Sequence, residues 1–556
     1  MSINSDKQLI RLQVGGLPLV DEIMRRMRLR QIMGDAIPAS KRGSIPAVDA
    51  LLLLVMNMAV ARDPLYELQQ WVESLDVRCL GYARLPSVKF SDDRFARALD
   101  KLYQADRASL MTSVVVSAVR MFKIDLSRIH NDCTTVSTFG RIAGRTRSGL
   151  EMLRGYSKGH RPDLKQLVFC LSICEDGAVP VHHRVYPGNR NEDTTHIETW
   201  EALRQIHGSP DFIYVGDCKL CGQKQLTHIV SGGGRAITIL PEGRLEARQF
   251  KDRIRAAGIK KKLLWRRPKP CDKSTTEYFY LYEGQHRTRV DRYPLWWFSS
   301  SEKRERDRYS REERLRKAGD SLAALSLKIN KGRLKKKGSI ERAAMGFLKQ
   351  LGVRHLMRVD VRTHIERTRL RRRGRPGIYS RYRTACRYYC SLHWSPDQDA
   401  LHREARTDGL FPLVCTDPMV SPGDVLKMYK YQPRLEKRFS QFKSIHQAAP
   451  LLFKRIDRVE ANMFVFFLAL MVQAIIERLV RHRIKAQKLD PSKLYPEERD
   501  ASHPTTSRIL KTFGGISTYS ITQNSRILEE YRDQLNHTHR QVLKLMDITE
   551  EKFWKF

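Results

Sequence analysis

The chain has 556 residues, several times the usual domain length, so two to four domains with at least one sizeable core are expected. Its 101 lysines and arginines against 61 acids leave a net charge of +40, which a compact chain carries most easily when a polyanion shares it. Nucleic acid is the leading partner; a ribosomal or membrane surface fits the same charge, which fixes the partner's sign and not its identity. Ten cysteines spread along the chain and a polar, mixed-charge start from Met1 to Arg11 argue against a secreted disulfide scaffold and predict a reducing, cytoplasmic location. The longest apolar runs, Ala50 to Ala61 broken by Asn57 and Met463 to Val472, fall short of the ~18 residues of a membrane helix. Both are expected as buried core helices, with no membrane partner.

In chain order, the spacing of apolar residues predicts helices over Val48–Ala61, Leu65–Leu75 and Asp92–Tyr103, with Asp63-Pro64 as a helix start. Residues 1–123 thus form a helical N-terminal domain. Over 124–240 the character changes. Arg128–Phe139, Gln166–Cys174 and, after the turn Glu175-Asp176-Gly177, Val179–Tyr186 are rich in β-formers and predict an antiparallel meander. A helix (Thr194–Ile206), a short strand ending in an acid (Phe212–Asp217), a helix (Gly222–Val230) and a strand (Arg235–Leu240) follow. This is α/β in class, begun and not yet closed.

Residues 241–406 are strongly basic, with Lys260-Lys261-Lys262, Arg266-Arg267, Lys335-Lys336-Lys337 and Arg371-Arg372-Arg373 between aromatic strand-like pieces and one charged helix, Glu302–Lys317. They are expected to be an insertion. Over 407–487 the α/β character resumes with a strand, Leu410–Thr416, a helix containing MYKYQPRLEKRFSQFKS (Met428 to Ser444) and a long buried helix from Ile456 to about Arg483. The tail, 488–556, is expected to be helical between Asn524 and Met546.

Three acids sit where elements meet. Asp132, in IHNDCTTVSTFG, lies on the first strand; Asp217, in FIYVGDCKLCG, ends the fourth; Glu436 lies on the late helix, alone among basic and aromatic residues. If the first and fourth strands are neighbours and the late helix packs across them, the three carboxylates converge at one sheet edge. Three hard oxygen donors in a basic groove suit Mg²⁺ or Mn²⁺. The chemistry that needs them is phosphoryl transfer, with two ions ~3.5–4 Å apart activating one oxygen and stabilising the other.

These residues resemble the DDE transposases of bacterial insertion sequences, in the insertion-sequence-four superfamily and especially its sixteen-thirty-four group. The resemblance runs from about Asp125 to Val480. That family's late signature, tyrosine, two residues, arginine, three residues, glutamate, six residues, lysine, falls on Tyr429, Gln432, Glu436 and Lys443, with glutamine in the arginine's place. On one continuous helix all four share a face, and the glutamine is expected to weaken phosphate binding. GYSKGHRPDLKQLVF (Gly155 to Phe169), VYPGNRNEDTT (Val185 to Thr195) and DGLFPLVCTD (Asp408 to Asp417) are similar stretches.

The resemblance implies an RNase H-like catalytic core interrupted between its last two strands by the insertion domain, flanked by the helical N-terminal domain and the helical tail. It implies a DNA transposase: water frees a 3′-hydroxyl at the element's end, and that hydroxyl then attacks a target phosphodiester with no covalent enzyme intermediate. Asp132, Asp217 and Glu436 become the catalytic residues and the ligands of two Mg²⁺ or Mn²⁺ ions. Tyr429, Gln432 and Lys443 become DNA contacts near the cut, and Arg434 and Lys437 backbone clamps or solvated surface. The implied partner is double-stranded DNA, as terminal inverted repeats and target, gripped by a homodimer in the synaptic complex near the prokaryotic nucleoid.

Each sharp reading has a plain rival. A lone aspartate at a strand end is usually a turn or cap residue, and Glu436 alone could be a surface charge paired with Lys443. Trp297, in the tandem Trp296-Trp297, could stack a flipped base as in relatives that close DNA hairpins, or plug the insertion's own core. Cys218-x-x-Cys221 invites zinc, which needs four suitably spaced ligands; buried free thiols are the simpler account. His160 and His182-His183 could shuttle protons, or be structural. The basic clusters could track phosphates or be solvated loops. The rival functions are a catalytically inactive DNA-binding derivative and an RNase H-type nuclease that only hydrolyses.

Overall fold

The computed structural model describes residues 7–38, 46–80, 90–137, 142, 144–156, 161, 163–269, 274–371, 378, 382–448, 453–488, 494–495, 503–524 and 526–554. Phe139, His160, Arg372 and Arg373 lie outside the described residues. The chain divides into two compact units, one of Met1–Thr238 with Asp424–Phe556 and one of Ile239–Gly423.

The first unit opens with an exposed strand, β1 (Lys7–Gln13), where sequence patterning predicts none. Helices follow at Leu17–Arg26, Leu29–Ala36, Ala47–Val60, Asp92–Gln104 and Arg107–Phe122. Ala47–Val60 is buried over nearly its whole circumference, Ala50 to Ala59 without a break, as its uninterrupted apolar sequence demands. Arg107–Phe122 begins at Asp106, whose carboxylate accepts from the amides of Ala108 and Ser109, a standard cap for the unpaired N–H groups of a first turn.

β2 (Arg128–Ser137), β3 (Gln166–Cys174) and β4 (Pro180–Pro187) then run antiparallel, with Asp132 opposite Leu171 and Leu171 opposite His183. Gly177 (φ +80°) makes the β3–β4 turn, and a Cβ there would lie 2.7 Å from that of Arg478, so both conformation and space require glycine. After the helix Thr195–His207 come β5 (Ile213–Val215), the helix Gln223–Ser231 and β6 (Arg235–Ile239). The strand order is β4-β3-β2-β5-β6, with β2, β5 and β6 parallel.

The second unit holds the helix Leu245–Ala257 and a sheet of β7 (Lys261–Pro268), β8 (Thr276–Tyr282), β9 (His286–Arg287) and β10 (Pro294–Ser300). It also holds a long hairpin, β11 (Met357–Arg371) with β12 (Tyr382–Pro396), and β13 (Leu410–Cys415). β13 pairs antiparallel with β10, Leu295 opposite Val414. Its LFPLVC is wholly buried. The charged helix spans Ser301–Ser326, with Ser300 capping it and a buried Arg311–Asp408 pair at 2.5 Å. Ala318 and Leu322 of that helix, Ile340, Ala344 and Leu348 of the helix Lys337–Gln350, and Val361 and Leu392 of the hairpin form one core.

The chain re-enters the first unit through helices Pro422–Tyr429, Pro433–Ala448 and Ile456–Gln487. The last is long and apolar enough to cross a membrane, but 94% of its most apolar eighteen-residue window is buried inside the protein, the signature of a core helix. The tail is not chiefly helical. β14 (Ser517–Gln523) and β15 (Arg526–Arg532) form a hairpin over Asn524 (φ 51°), β1 pairs along β14, and the tail's described helices, Thr506–Thr512, His537–Met546 and Glu550–Phe553, are short. The alternating β-branched and aromatic residues of STYSITQ favour a strand, and it pairs with a segment some 500 residues away, which no local pattern announces.

Candidate active site

β2 reads RIHNDCTTVS and lies between antiparallel β3 and parallel β5. The parallel register sets Arg128 opposite Ile213, Ile129 opposite Tyr214 and His130 opposite Val215. Asp132 lies two residues beyond the last of these pairs, and Asp217 two residues beyond the carboxyl end of β5. Open α/β sheets bind ligands at such ends.

Asp132 is half-buried and accepts from the Cys133 amide at 2.7 Å. Asp217 Oδ1 accepts from the Lys219 amide at 3.0 Å and lies 3.6 Å from His196 Nε2. His196 in turn meets the Tyr214 hydroxyl at 3.1 Å through Nδ1. Gly216, just before Asp217, leaves room for this: a Cβ there would stand 3.0 Å from Leu220 and 3.4 Å from the His196 ring. His196 is buried and escapes sequence reasoning, although it directly follows the NEDTT stretch.

The late segment is two helices, not one. Tyr429 ends Pro422–Tyr429, Gln432 lies in the turn and Pro433 begins the next helix. Proline suits a first helical position and disfavours a helical residue before it, so the shared-face argument does not hold across Tyr429 and Gln432. It holds from Glu436 onward. Leu435, Arg438, Phe439 and Phe442 are buried, whereas Glu436, Ser440 and Lys443 form an exposed stripe, with Lys437 exposed beside it. Phe442 stacks on Phe169 of β3 at 4.7 Å. Arg434 is half-buried near Tyr431.

The turn nevertheless delivers Tyr429 to the acids. Burial raises its phenol well above the ordinary tyrosine range, and the charges of Asp217, Asp132 and Glu436 push the same way. One hydroxyl therefore sits within electrostatic reach of all three carboxylates and stays protonated. Gln432 bonds to β2: its Oε1 lies 3.2 Å from His130 Nδ1 and its Nε2 donates to the Asn131 carbonyl at 3.4 Å. Its amide thus ties the helix start to β2, two and one residues before Asp132. Burial lowers the His130 imidazole to about 4, so it is neutral.

Arg438, which the sequence reading passes over, secures the helix. It donates to the Gly177 and Ala178 carbonyls at 3.0 and 2.9 Å and pairs with Glu477 at 3.0 Å, both side chains only 3% exposed. A mid-helix arginine among basic residues gives no signal of burial until its partner on Ile456–Gln487 is known.

All three carboxylates are hard oxygen donors, right in kind for Mg²⁺ or Mn²⁺. Among the described residues, however, no three histidine, cysteine or acidic side chains gather closely enough to ligate one ion. Asp132, Asp217 and Glu436 nevertheless all act by charge on the Tyr429 hydroxyl. Cys218 and Cys221 are free thiols outside any such group. Cys133 and Cys170, opposite each other on β2 and β3, are joined in a disulfide, contrary to the expectation of free thiols throughout. Trp297 is 1% exposed and stacks on Phe250 at 4.0 Å. It fills the second unit's core and is not a DNA contact, because its side of β10 is covered by the helix Leu245–Ala257.

Residues 10–116 match the family model described as Domain of unknown function (DUF4277), a stretch that ends before β2. No curated protein matches the chain. Among solved structures it is similar to a piggyBac transposase in a synaptic complex with hairpin DNA, with a TM-score of 0.37 and 8% identity over 90% of this chain and 78% of that one.

Proposed function

We propose that the protein is a DNA transposase of the DDE kind, with an RNase H-like core, that cleaves the ends of an insertion sequence and transfers the freed 3′-hydroxyls to target DNA. The observation that supports this reading is that the charges of Asp132 on β2, Asp217 just past the parallel strand β5, and Glu436 all act on the Tyr429 hydroxyl. The late signature and the +40 net charge support it.

In this reading Asp132 and Asp217, completed by Glu436, hold Mg²⁺ or Mn²⁺, which offsets charge on the reacting phosphate. The chain's own residues do the rest. Tyr429, kept protonated, donates to a phosphate oxygen beside the cut. Lys443 and Lys437, exposed on the helix of Glu436, hold the DNA backbone. Gln432 and Arg438 are positioning residues: one sets the helix start against β2, the other binds the helix to the β3–β4 turn. Two copies of the chain, each holding one element end in the cytoplasm, make up the working complex.

The test is cleavage and joining of a labelled duplex carrying the DNA that flanks the gene, with Mg²⁺ supplied. Asp132→Asn, Asp217→Asn and Glu436→Gln should each cut activity by about a thousandfold, equivalent to about 4 kcal/mol of barrier, while DNA binding persists. Wild-type activity in Asp217→Asn sinks the assignment. An inert wild type points to the inactive derivative. Cleavage with no joining of a pre-cut 3′-hydroxyl end points to the hydrolytic nuclease.

A further inference from the structure

The hairpin β11–β12 changes character along its length. At its base Val361, Leu392 and Cys390 are 1 to 7% exposed and belong to the second unit's core. From Arg362 to Leu370 every side chain is exposed on both faces. Seven residue steps from Thr363 to Leu370 carry the two strands about 24 Å beyond that core. An unsupported two-stranded ribbon is marginal in water, and this one also exposes Ile365 (52%) and Tyr388 (64%).

The register sorts its residues by face. Ile365 is opposite Tyr388, Arg367 opposite Cys386 and Arg369 opposite Thr384, so these six share one side and no acid stands among them. The other side sets Glu366 opposite Arg387, Thr368 opposite Ala385 and Leu370 opposite Arg383, a mixed surface in which an acid offsets part of the charge. Nearer the base, Arg362 is already paired with Asp360 at 2.8 Å.

From this asymmetry we infer that the distal β11–β12 ribbon is a duplex-DNA-binding arm, entering the major groove on its Ile365, Arg367, Arg369 and Tyr388 face. The ~12 Å major groove admits a two-stranded ribbon without widening, whereas the ~6 Å minor groove takes one only when the duplex is deformed. Arginines on that face can reach phosphates or guanine edges, and Ile365 with Tyr388 offers apolar contact to thymine methyls. The ligand class rests on the proposed function; the face and the groove come from the ribbon itself.

The experiment measures binding of the full-length protein to a mixed-sequence 30-base-pair duplex across a sodium chloride series, by fluorescence anisotropy. Arg367→Ala/Arg369→Ala should bind at least about tenfold more weakly near 0.1 M salt and lower the salt slope by about 2. Arg387→Ala, on the other face, should stay within about twofold of wild type. Methylation interference should appear at guanine N7, and duplex RNA of the same sequence, whose major groove is too narrow to enter, should compete poorly. The inference is overturned if the double variant binds like wild type, if Arg387→Ala loses as much, if interference is confined to adenine N3, or if duplex RNA competes equally. Asp132→Asn separates the two ideas. Loss of cleavage with intact binding there, beside an unaffected ribbon variant, sinks only the ribbon; no cleavage by wild type, beside a ribbon variant that binds poorly, sinks only the enzyme.

Discussion

β2 and β11 are both long strands in antiparallel hairpins, yet their surroundings are opposite. Every residue of β2 from Ile129 to Asn131 is buried, and the neighbours of Asp132 are held by Gln432, by Ser172, which donates to Asn131, and by the β5 ladder. β11 leaves its core at Val361 and presents arginines with no packing behind them. The contrast teaches where this protein invests order: the strand that carries Asp132 is braced from several elements, whereas the distal arginines of β11 lie on an exposed ribbon.

The sharpest way to break that comparison is to remove a brace. Arg438→Ala leaves Glu477 buried with Arg481, at 3.2 Å, as its remaining cation and frees two turn carbonyls. Stripping one partner from a buried pair should cost about 3–5 kcal/mol in urea denaturation. A loss below about 1 kcal/mol means the helix needs no such anchor.

Acid should loosen the same body next. Burial depresses His182 and His183 of β4 to about 3, helped by the charges of Arg184 on His182 and of His182 and Arg107 on His183. Unfolded, both titrate near 6.5, so between pH 6.5 and 3 the unfolded chain binds more protons. Stability is then complete above about 6.5 and falls as pH falls, by about 2 kcal/mol per histidine at pH 5. His183 packs among Phe169, Phe464 and Phe467, so His183→Phe should remove about half of this loss. Urea midpoints at pH 7.5 and 5 measure it, and a variant with an unchanged pH dependence counts against the assignment.

Gln432→Ala should cost less, about 1 kcal/mol for the hydrogen bonds to β2, and should lower cleavage more than DNA binding. If binding falls and turnover does not, the glutamine is a DNA contact after all. Smallest of all, Arg367→Ala/Arg369→Ala should leave the denaturation midpoint within about 0.5 kcal/mol of wild type. A larger drop shows that the ribbon is braced in a way its exposure denies.

Much of the site was legible one residue at a time. Asp132 and Asp217 stand out by their places on predicted strands, and Glu436 because it is alone among basic and aromatic residues. Pro433 also announced the break after Tyr429, a signal that the face argument overrode. Other features had no local signature. Trp297 and Trp296 look alike in sequence, and only pairing with β13 and the cover of Phe250 decide that Trp297 is core. Arg438 reads as one more surface cation until Glu477 appears opposite it.

By itself the amino-acid order settled the net charge, the helical and strand segments whose periodicity is strong, and the kinds of side chain available for chemistry, because each follows from composition or from neighbours a few residues away. Tertiary structure alone decided that β2 runs parallel beside β5, that β1 joins β14, and that Glu436 stays on an open face. Those outcomes depend on pairing between segments tens to hundreds of residues apart, and hydrogen-bonded registers of that kind are chosen by the packing of the whole fold.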